Sequence, residues 1–92
     1  MTDERYELTV AGPAARPIQH VLPQAVAGAV IEFITGPLLD NPQRVGKKLR
    51  GELAGRHAAR RGAYRVIHRI DDTQHRVVVL RVEHRIDVYR PR

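Results

Sequence analysis

The sequence predicts an α+β fold with the element order β-α-α-β-β-β. Three observations support it: residues 5–10 alternate between apolar and polar side chains, two helix-compatible segments bounded by proline and glycine follow, and the chain from residue 56 onward has a β pattern. We expect residues 1–92 to form a single domain with a twisted, mainly antiparallel four-stranded sheet. A helical hairpin should cover one face of this sheet, and the other face should be open and lined with arginine.

The first strand is predicted over residues 5–10. Tyr6, Leu8 and Val10 would point to one face and the intervening polar residues to the other, as in a half-buried strand. Gly12-Pro13 ends the strand, because neither residue favours its continuation.

Two helices are predicted between this strand and Gly36. The first spans residues 13–21, where Pro17 removes an internal hydrogen bond and predicts either a distorted first turn or a helix that starts at Pro17. The second runs from Pro23 to Thr35. Its apolar residues follow the spacing of a buried helical stripe, and they are Val26, Val30, Phe33 and Ile34.

Residues 36–56 are interrupted by glycine and proline, so we expect an irregular segment that Leu38 and Leu39 anchor to the core. Within it, Gly46-Lys47-Lys48-Leu49-Arg50-Gly51 is a basic loop flanked by glycine. Such a loop lets backbone amides and cationic side chains approach phosphate, and a solvated linker is the alternative. It is not a P-loop, because the strand–G-x-x-x-x-G-K-[S/T]–helix context is missing.

The rest of the chain predicts three strands. The first covers residues 57–61 and turns at Gly62, and the second runs from Tyr64 to Ile70 with His68 near an edge of the sheet. Alternation along this second strand gives a core side and a cationic side. The core side comprises Tyr64, Val66, His68 and Ile70, and the cationic side comprises Arg65, Ile67 and Arg69.

A hairpin loop over residues 71–75 leads into the last predicted strand, from Arg76 to Val82. Its apolar run Val77-Val78-Val79-Leu80 is typical of a central strand that is covered on both faces or nearly so. The N-terminal strand would then complete the sheet.

Positive charge is concentrated in the C-terminal half of the chain. Residues 1–43 carry two basic and five acidic side chains, and residues 44–92 carry fourteen basic and five acidic ones, which gives net charges of −3 and +9. Fourteen of the sixteen basic residues are arginine, which pairs bidentately with phosphate and stacks on bases. A GC-rich genome would explain the excess of arginine over lysine but not this split, so we predict a polyanion-binding surface.

The composition also indicates where the protein acts. The chain has no cysteine, and it has no apolar run that would serve as a membrane span or a secretory signal. We therefore expect a cytoplasmic protein that does not associate with membranes. A chain of 92 residues buries a modest core, so a bound partner would add to its stability.

The residue types exclude several catalytic mechanisms. Serine and cysteine are absent, which excludes nucleophilic triads built on them, and the histidines lack metal-binding spacing, so we predict no metal site. The basic half has too few acidic residues for a two-metal nuclease. RNA cleavage fits what is present, because RNA supplies its own 2′-hydroxyl nucleophile. Arginine side chains would stabilise the charge that develops on the phosphate, and Tyr89 or His84 would transfer a proton.

Three segments resemble the RelE branch of the RelE/ParE toxins, most closely the RelE-type toxins of mycobacteria and related actinobacteria. They are Leu49-Arg50-Gly51-Glu52-Leu53-Ala54-Gly55, the stretch from Ala59 to Asp71, and His84-Arg85-Ile86-Asp87-Val88-Tyr89. The resemblance implies a RelE-like fold and the toxin of a type II toxin–antitoxin pair. Such a toxin is a ribosome-dependent endoribonuclease that cuts mRNA in the ribosomal A site and requires no cofactor.

The resemblance also implies partners and site residues. Besides the ribosome and mRNA, a RelB-type acidic antitoxin would bind and silence the toxin, and operator DNA would be bound only by the complex of the two. Arg65 and Arg85 would contact the phosphate, while Tyr89 would orient the base or transfer a proton. Independently of the resemblance, the basic loop and the arginine pair at the end of the strand at 57–61 lead us to expect that RNA is bound by Lys47, Lys48, Arg50, Arg60 and Arg61.

The sequence departs from the family on the strand at 57–61, where RelE members carry two lysines as candidate general bases. Arg60 or Arg61 would replace the charge but not the base, so His57 or His84 would serve instead. His84 resembles the C-terminal histidine of the YoeB relatives, in which a His-Tyr pair is catalytic. Two other functions stay open: a ParE-like toxin that inhibits DNA gyrase by binding, and a non-toxic module that binds RNA or an acidic partner.

Overall fold

The computed structural model describes residues 5–51 and 55–84. The elements along the chain are β1 Glu7–Val10, α1 Gly12–His20, α2 Gln24–Thr35, α3 Pro37–Asp40, α4 Pro42–Val45, β2 Lys47–Lys48, β3 His57–Arg61, β4 Tyr64–Asp71 and β5 Arg76–His84. Arg85 and Tyr89, both predicted as site residues, lie outside the described residues. The α+β class is confirmed. None of the helices in the described ranges is long and apolar enough to cross a membrane.

The strands form one sheet in the order β1-β5-β4-β3-β2. β1 is parallel to β5, and the other neighbouring strands are antiparallel, as predicted for a mainly antiparallel sheet. The sheet has one strand more than the four predicted, because Lys47 and Lys48 pair with Ala58 and His57 at its edge. Two consecutive lysines show no apolar alternation, so this short strand lacks a sequence signal.

β1 forms the other edge of the sheet and has its apolar side toward the helices. Leu8 and Val10 pack against the core, in agreement with the predicted alternation. Tyr6 precedes the strand, and its ring stacks on that of His75 with the centroids 3.8 Å apart. The Tyr6 hydroxyl donates to the carboxylate of Asp72 at 2.5 Å, so the chain before β1 is attached to the β4–β5 loop.

α1 and α2 form the predicted helical hairpin. α1 begins at Gly12 with Pro13 in its first turn, where proline suits the helix start. Pro17 lies inside the helix, so the alternative start at this residue is not observed. The backbone N–H groups of Val21 and Leu22 donate to the Pro17 carbonyl oxygen at 3.0 and 2.8 Å, which closes the end of α1.

The core lies between the helices and one face of the sheet. α2 buries Val30, Phe33 and Ile34 there, as their spacing predicts, and α3 adds Leu38 and Leu39. From the sheet the core receives Ala59, Tyr64, Val66, Val77, Val79 and Val82. Removal of this apolar surface from water is the main stabilising contribution to such a fold.

A β-bulge interrupts the pairing of β4 with β5. His68 is opposite Val79 and Ile67 is opposite Arg81, so Leu80 is left without an opposite residue. The buried residues of β5 therefore change from odd-numbered to even-numbered positions along the strand. β5 is a central strand, as predicted, and it lies between β1 and β4. The predicted coverage of both its faces is wrong, because its apolar run reflects this change of alternation. Leu80 is only half-buried.

His68 is fully buried, and the prediction that it lies near an edge of the sheet is wrong. β4 is the middle strand of the five, and the His57 ring of β3 stacks beside that of His68 with the centroids 5.6 Å apart. Gly46 also lies close to this ring, since a methyl group there would be 3.1 Å from Cε1 of His68. The connection between α4 and β2 therefore covers this histidine, which alternation along β4 alone does not reveal.

Candidate nucleic-acid interface

The face of the sheet opposite the helices carries two rows of side chains that run across the strands. Neighbours in a row are direct partners in the strand register, so their side chains point to the same face. One row is formed by Arg60, Arg65 and Glu83. The other row is formed by Lys47, Ala58, Ile67 and Arg81. Together these rows combine four cationic side chains with one carboxylate.

A groove of about 560 Å³ opens on this face, and we call it the cationic groove. It is lined by Val45, Lys47, Lys48, Leu49, Ala58, Arg60 and Arg65. Four residues predicted to act on RNA, two lysines and two arginines from three different strands, therefore come together. Apolar side chains lie next to these cations, so the groove offers positive charge for phosphate groups beside a partly apolar surface.

Arg65 is held by Glu83 from the neighbouring strand. Nε of Arg65 donates to Oε1 of Glu83 at 3.0 Å, and Nη2 donates to the same oxygen. The Arg65 side chain is 39% exposed and that of Glu83 is 19% exposed, so the pair is partly withdrawn from water. Nη2 of Arg81 lies 3.8 Å from the second Glu83 oxygen. Glu83 thus lies between two arginines, and two hydrogen bonds fix the orientation of Arg65.

Two of the basic residues predicted to bind RNA lie away from the cationic groove. The Arg61 guanidinium is 4.6 Å from the ring centroid of Phe33 in α2, which places Arg61 on the helix side of the sheet in a cation–π contact. Alternation along β3 separates it from Arg60, which lines the groove. Arg50 is exposed beyond β2 and does not line the groove.

The histidines predicted as alternative bases also lie away from the cationic groove. His84 is only 8% exposed and is opposite Tyr64, whose hydroxyl donates to a backbone oxygen of α2 at 3.2 Å. His57 is opposite His68, and burial lowers the pKa of His57, with the charge of Lys48 acting in the same direction. Within residues 5–51 and 55–84, no three His, Cys, Asp or Glu side chains form a group that could hold a metal ion.

The sequence has relatives among bacterial toxins. Residues 15–89 match the family described as the ParE toxin of the type II toxin–antitoxin system parDE. The chain belongs to this toxin family. It is 48% identical over 88 residues to toxin RelE of Mycobacterium tuberculosis, which covers 96% of this chain and 90% of that protein. It is 55% identical over 76 residues to toxin RelG of the same organism, which covers 83% and 87%.

These relatives make the chain a RelE-like toxin of a type II toxin–antitoxin system, and they favour the RelE type over the ParE type. The RelE-like toxin superposes on a chain of the RelBE2 toxin–antitoxin complex of M. tuberculosis with a TM-score of 0.85 at 49% identity, covering 88% of this chain and 99% of that one. The match to the RelBE complex of Escherichia coli has a TM-score of 0.72 at 21% identity, covering 86% and 95%, and shows the same fold. The predicted resemblance is thereby confirmed.

Glu83 of this RelE-like toxin is a contact residue that sequence reasoning missed. Counted outward from the 71–75 loop, a regular hairpin would place Val82 opposite Arg65. The bulge at Leu80 adds one residue to β5 and moves Glu83 into that position instead. The sequence signal for this contact is the apolar run around Leu80. In a strand with only one buried face, an unbroken apolar run indicates that the buried positions change from odd-numbered to even-numbered residues.

Proposed function

We propose that this RelE-like toxin is a ribosome-dependent endoribonuclease that cuts mRNA in the A site and so inhibits translation and growth. The observation that carries the proposal is the cationic groove, where Lys47, Lys48, Arg60 and Arg65 surround a partly apolar surface. A single RNA strand needs cations for its phosphates and apolar surface for its bases. The similarity to RelE-type toxins supports the same function.

The reaction we propose uses groups that the RNA and the toxin supply, without a metal ion or cofactor. The 2′-hydroxyl of the nucleotide attacks the adjacent phosphorus, and the 5′-oxygen of the next nucleotide leaves. Arg65 and Arg85 would stabilise the charge that builds up on the phosphoryl oxygens. Arginine stays protonated and cannot accept the hydroxyl proton. Tyr89 is a better candidate for proton transfer or base stacking than His84, because His84 is buried on the helix side.

A RelB-type antitoxin is the proposed partner that silences this activity. The matched structures from M. tuberculosis and E. coli are toxin–antitoxin complexes. This chain carries a net charge of +6, so an acidic antitoxin would be attracted to the same surface that binds RNA. Operator DNA would be bound by the complex and not by the toxin alone. A toxin that acts on ribosome-bound mRNA would work in the cytoplasm.

Programmed ribosomes provide the test. The full-length toxin, freed of antitoxin, is incubated with ribosomes that carry a defined A-site codon, and new mRNA ends are mapped by primer extension. The wild type should create ends at that codon only when ribosomes are present, and Arg65→Ala should lower the rate by about 100-fold. Arg16→Ala removes an equal charge from an exposed position of α1 and should cut like the wild type.

Two results would contradict the proposal: no new ends with the wild-type toxin, or unchanged cutting by Arg65→Ala. Arg85→Ala and Tyr89→Phe extend the assay to the C-terminal residues, and both should slow the cut. A ParE-like function is the second candidate, because the matching family carries the name of that toxin. A supercoiling assay with DNA gyrase separates the two functions, since gyrase inhibition with intact mRNA would favour the ParE-like one.

A further inference from the structure

The contact between Arg65 and Glu83 uses only one edge of the arginine. The guanidinium group offers five N–H donors in a rigid plane. Nε and Nη2 on the side edge both donate to Oε1 of Glu83. The outer edge, which consists of Nη1 and the second hydrogen of Nη2, is not used by this contact. A phosphate that enters the cationic groove would therefore meet a guanidinium whose side edge is fixed and whose outer edge is available.

The neighbouring charges explain why Arg65 needs this support. Arg60 lies directly opposite Arg65 on β3 and repels it, while Glu83 lies directly opposite on β5 and attracts it. Because Glu83 is 19% exposed, water screens this attraction less than it would at a fully exposed position. Arg81 approaches the other oxygen of the same carboxylate. The carboxylate is thus held among cations on one side of the groove.

The pairing of β4 with β5 fixes the positions of Arg65 and Glu83 relative to each other. Arg65 and Glu83 are direct partners on β4 and β5, which are eight and nine residues long. Residues on paired strands hold a functional group more accurately than residues on loops. The bulge at Leu80 is what brings Glu83 opposite Arg65, so the local irregularity of β5 serves this contact.

We infer that Glu83 is a positioning residue that holds the Arg65 guanidinium with its outer edge toward the RNA phosphate in the cationic groove. The inference rests on the proposed nuclease function. A guanidinium released from Glu83 would rotate about its flexible stem, and misplacement of a catalytic group by about 1 Å costs on the order of 100-fold in rate. The Glu83 carboxylate also repels the phosphate, so its removal should favour RNA binding while slowing the cut. Opposite effects on binding and on rate distinguish positioning from a simple contribution to folding.

Three variants of the full-length toxin separate the properties of this side chain. Glu83→Ala removes the acceptor and should lower the single-turnover rate on saturated ribosomes by about 10- to 100-fold, with equal or tighter binding. Glu83→Gln keeps an oxygen that can accept both Arg65 N–H groups and should lose only about threefold, since neutral hydrogen bonds are weaker. Glu83→Asp keeps the charge but withdraws it by one methylene group, so its rate should fall toward that of Glu83→Ala. Glu32→Ala, an equal charge change at an exposed position of α2, should match the wild type.

The NMR signal of the Arg65 Nε–H group reports positioning without any cleavage. It should be protected from exchange in the wild type and in Glu83→Gln, and it should be lost in Glu83→Ala. If the wild type cuts no mRNA, the proposed function fails while this signal still tests the contact. If the wild type cuts and Glu83→Ala cuts equally fast, the inference is overturned. The inference would also be overturned if Glu83→Gln and Glu83→Ala both lost most of the cleavage rate while Glu83→Gln kept the Arg65 Nε–H signal. Glu83 would then act as the general base. If Glu83→Ala does not fold, Glu83→Asp decides the rate comparison.

Discussion

Arg60 and Arg65 lie directly opposite each other on neighbouring antiparallel strands. Like charges in this arrangement repel and destabilise the sheet. Glu83 compensates Arg65 from β5, whereas Arg60 is exposed and lines the cationic groove. The toxin therefore retains an unfavourable pair where a bound phosphate would supply the missing negative charge. Such a loss of stability for function is common at binding sites.

Replacement of Arg60 should make the free toxin more stable and a weaker RNA binder. Arg60→Thr removes the repulsion and introduces a residue that favours strands, so the free energy of unfolding should rise by about 0.5 kcal/mol. Urea unfolding measures this gain. The gain should disappear in an Arg65→Ala background, because the repelling partner is then absent. An identical gain in both backgrounds would show that the charge pair does not cause it.

Lys47 and Lys48 should contribute to the salt dependence of RNA binding. Each phosphate contact to a single strand changes the slope of log K against log salt concentration by about 0.7, so Lys47→Gln combined with Lys48→Gln should reduce the slope by about 1.4. Fluorescence anisotropy of a short single-stranded RNA across a salt series gives the slope. Arg16→Gln on α1 should leave it unchanged. A slope unaltered by the double substitution would mean that these lysines do not neutralise phosphate.

The substitution of glycine by alanine should have opposite effects at two positions. An added methyl group at Gly46 would lie 3.1 Å from Cε1 of His68 and 3.2 Å from the Ala58 backbone oxygen, so Gly46→Ala should destabilise the fold. We expect a loss of about 1–3 kcal/mol, as for other overpacked sites. Gly28 lies inside α2 with nothing within 4 Å of an added methyl group, and Gly28→Ala should add about 1 kcal/mol through helix propensity. Chemical denaturation compares the two, and a stable Gly46→Ala would show that the His68 ring can move aside.

His68 should make the toxin sensitive to mild acid. Burial lowers the pKa of His68 to about 4, and the nearby backbone of Val66 acts in the opposite direction. Neither ring nitrogen of His68 forms a hydrogen bond within the described residues. The unfolded chain has the ordinary pKa of about 6.5 and binds the proton more readily. Stability is therefore fully present above about pH 6.5 and is lost progressively as the pH falls toward about 4.

The expected loss from this residue between pH 7 and pH 5 is about 2 kcal/mol. His68→Leu removes the titrating group and keeps an apolar side chain of similar size, so its free energy of unfolding should change less over this range. Urea unfolding of both proteins at the two pH values measures the difference. Parallel pH profiles for the wild type and His68→Leu would contradict the assignment to this histidine.

The elements that were predictable from the sequence are those that rest on local patterns. The stripe of α2 identified Val30, Phe33 and Ile34 as core residues, and the buried Leu38 and Leu39 confirm the predicted anchor. The prediction of an irregular segment around this anchor is wrong, because α3, α4 and β2 form there. β2 could not be found in this way, because a two-residue strand of lysine forms only through its pairing with β3. Its existence is a tertiary property of the sheet edge.

The candidate site was predictable in part. Alternation along β3 and β4 brings Arg60 and Arg65 to the same face, and the same alternation places Arg61 on the other face, which contradicts its predicted role beside Arg60. Glu83 depends on the bulge in β5, which a regular register conceals. The burial of His68 depends on residues some twenty positions earlier in the chain. The roles of Arg85 and Tyr89 stay predictions.

The parallel pairing of β1 with β5 has a consequence for the order of folding. Glu7 and Arg76 are ion-paired across 69 positions of the chain, so this contact closes a loop that spans most of the domain. Non-local contacts of this kind form slowly, and we expect the transition state for folding to lack them. Val10→Ala should then accelerate unfolding with little effect on the refolding rate, as stopped-flow kinetics would measure. During synthesis, β1 emerges before β5, and the nascent toxin cannot complete its sheet until β5 has left the ribosome that makes it.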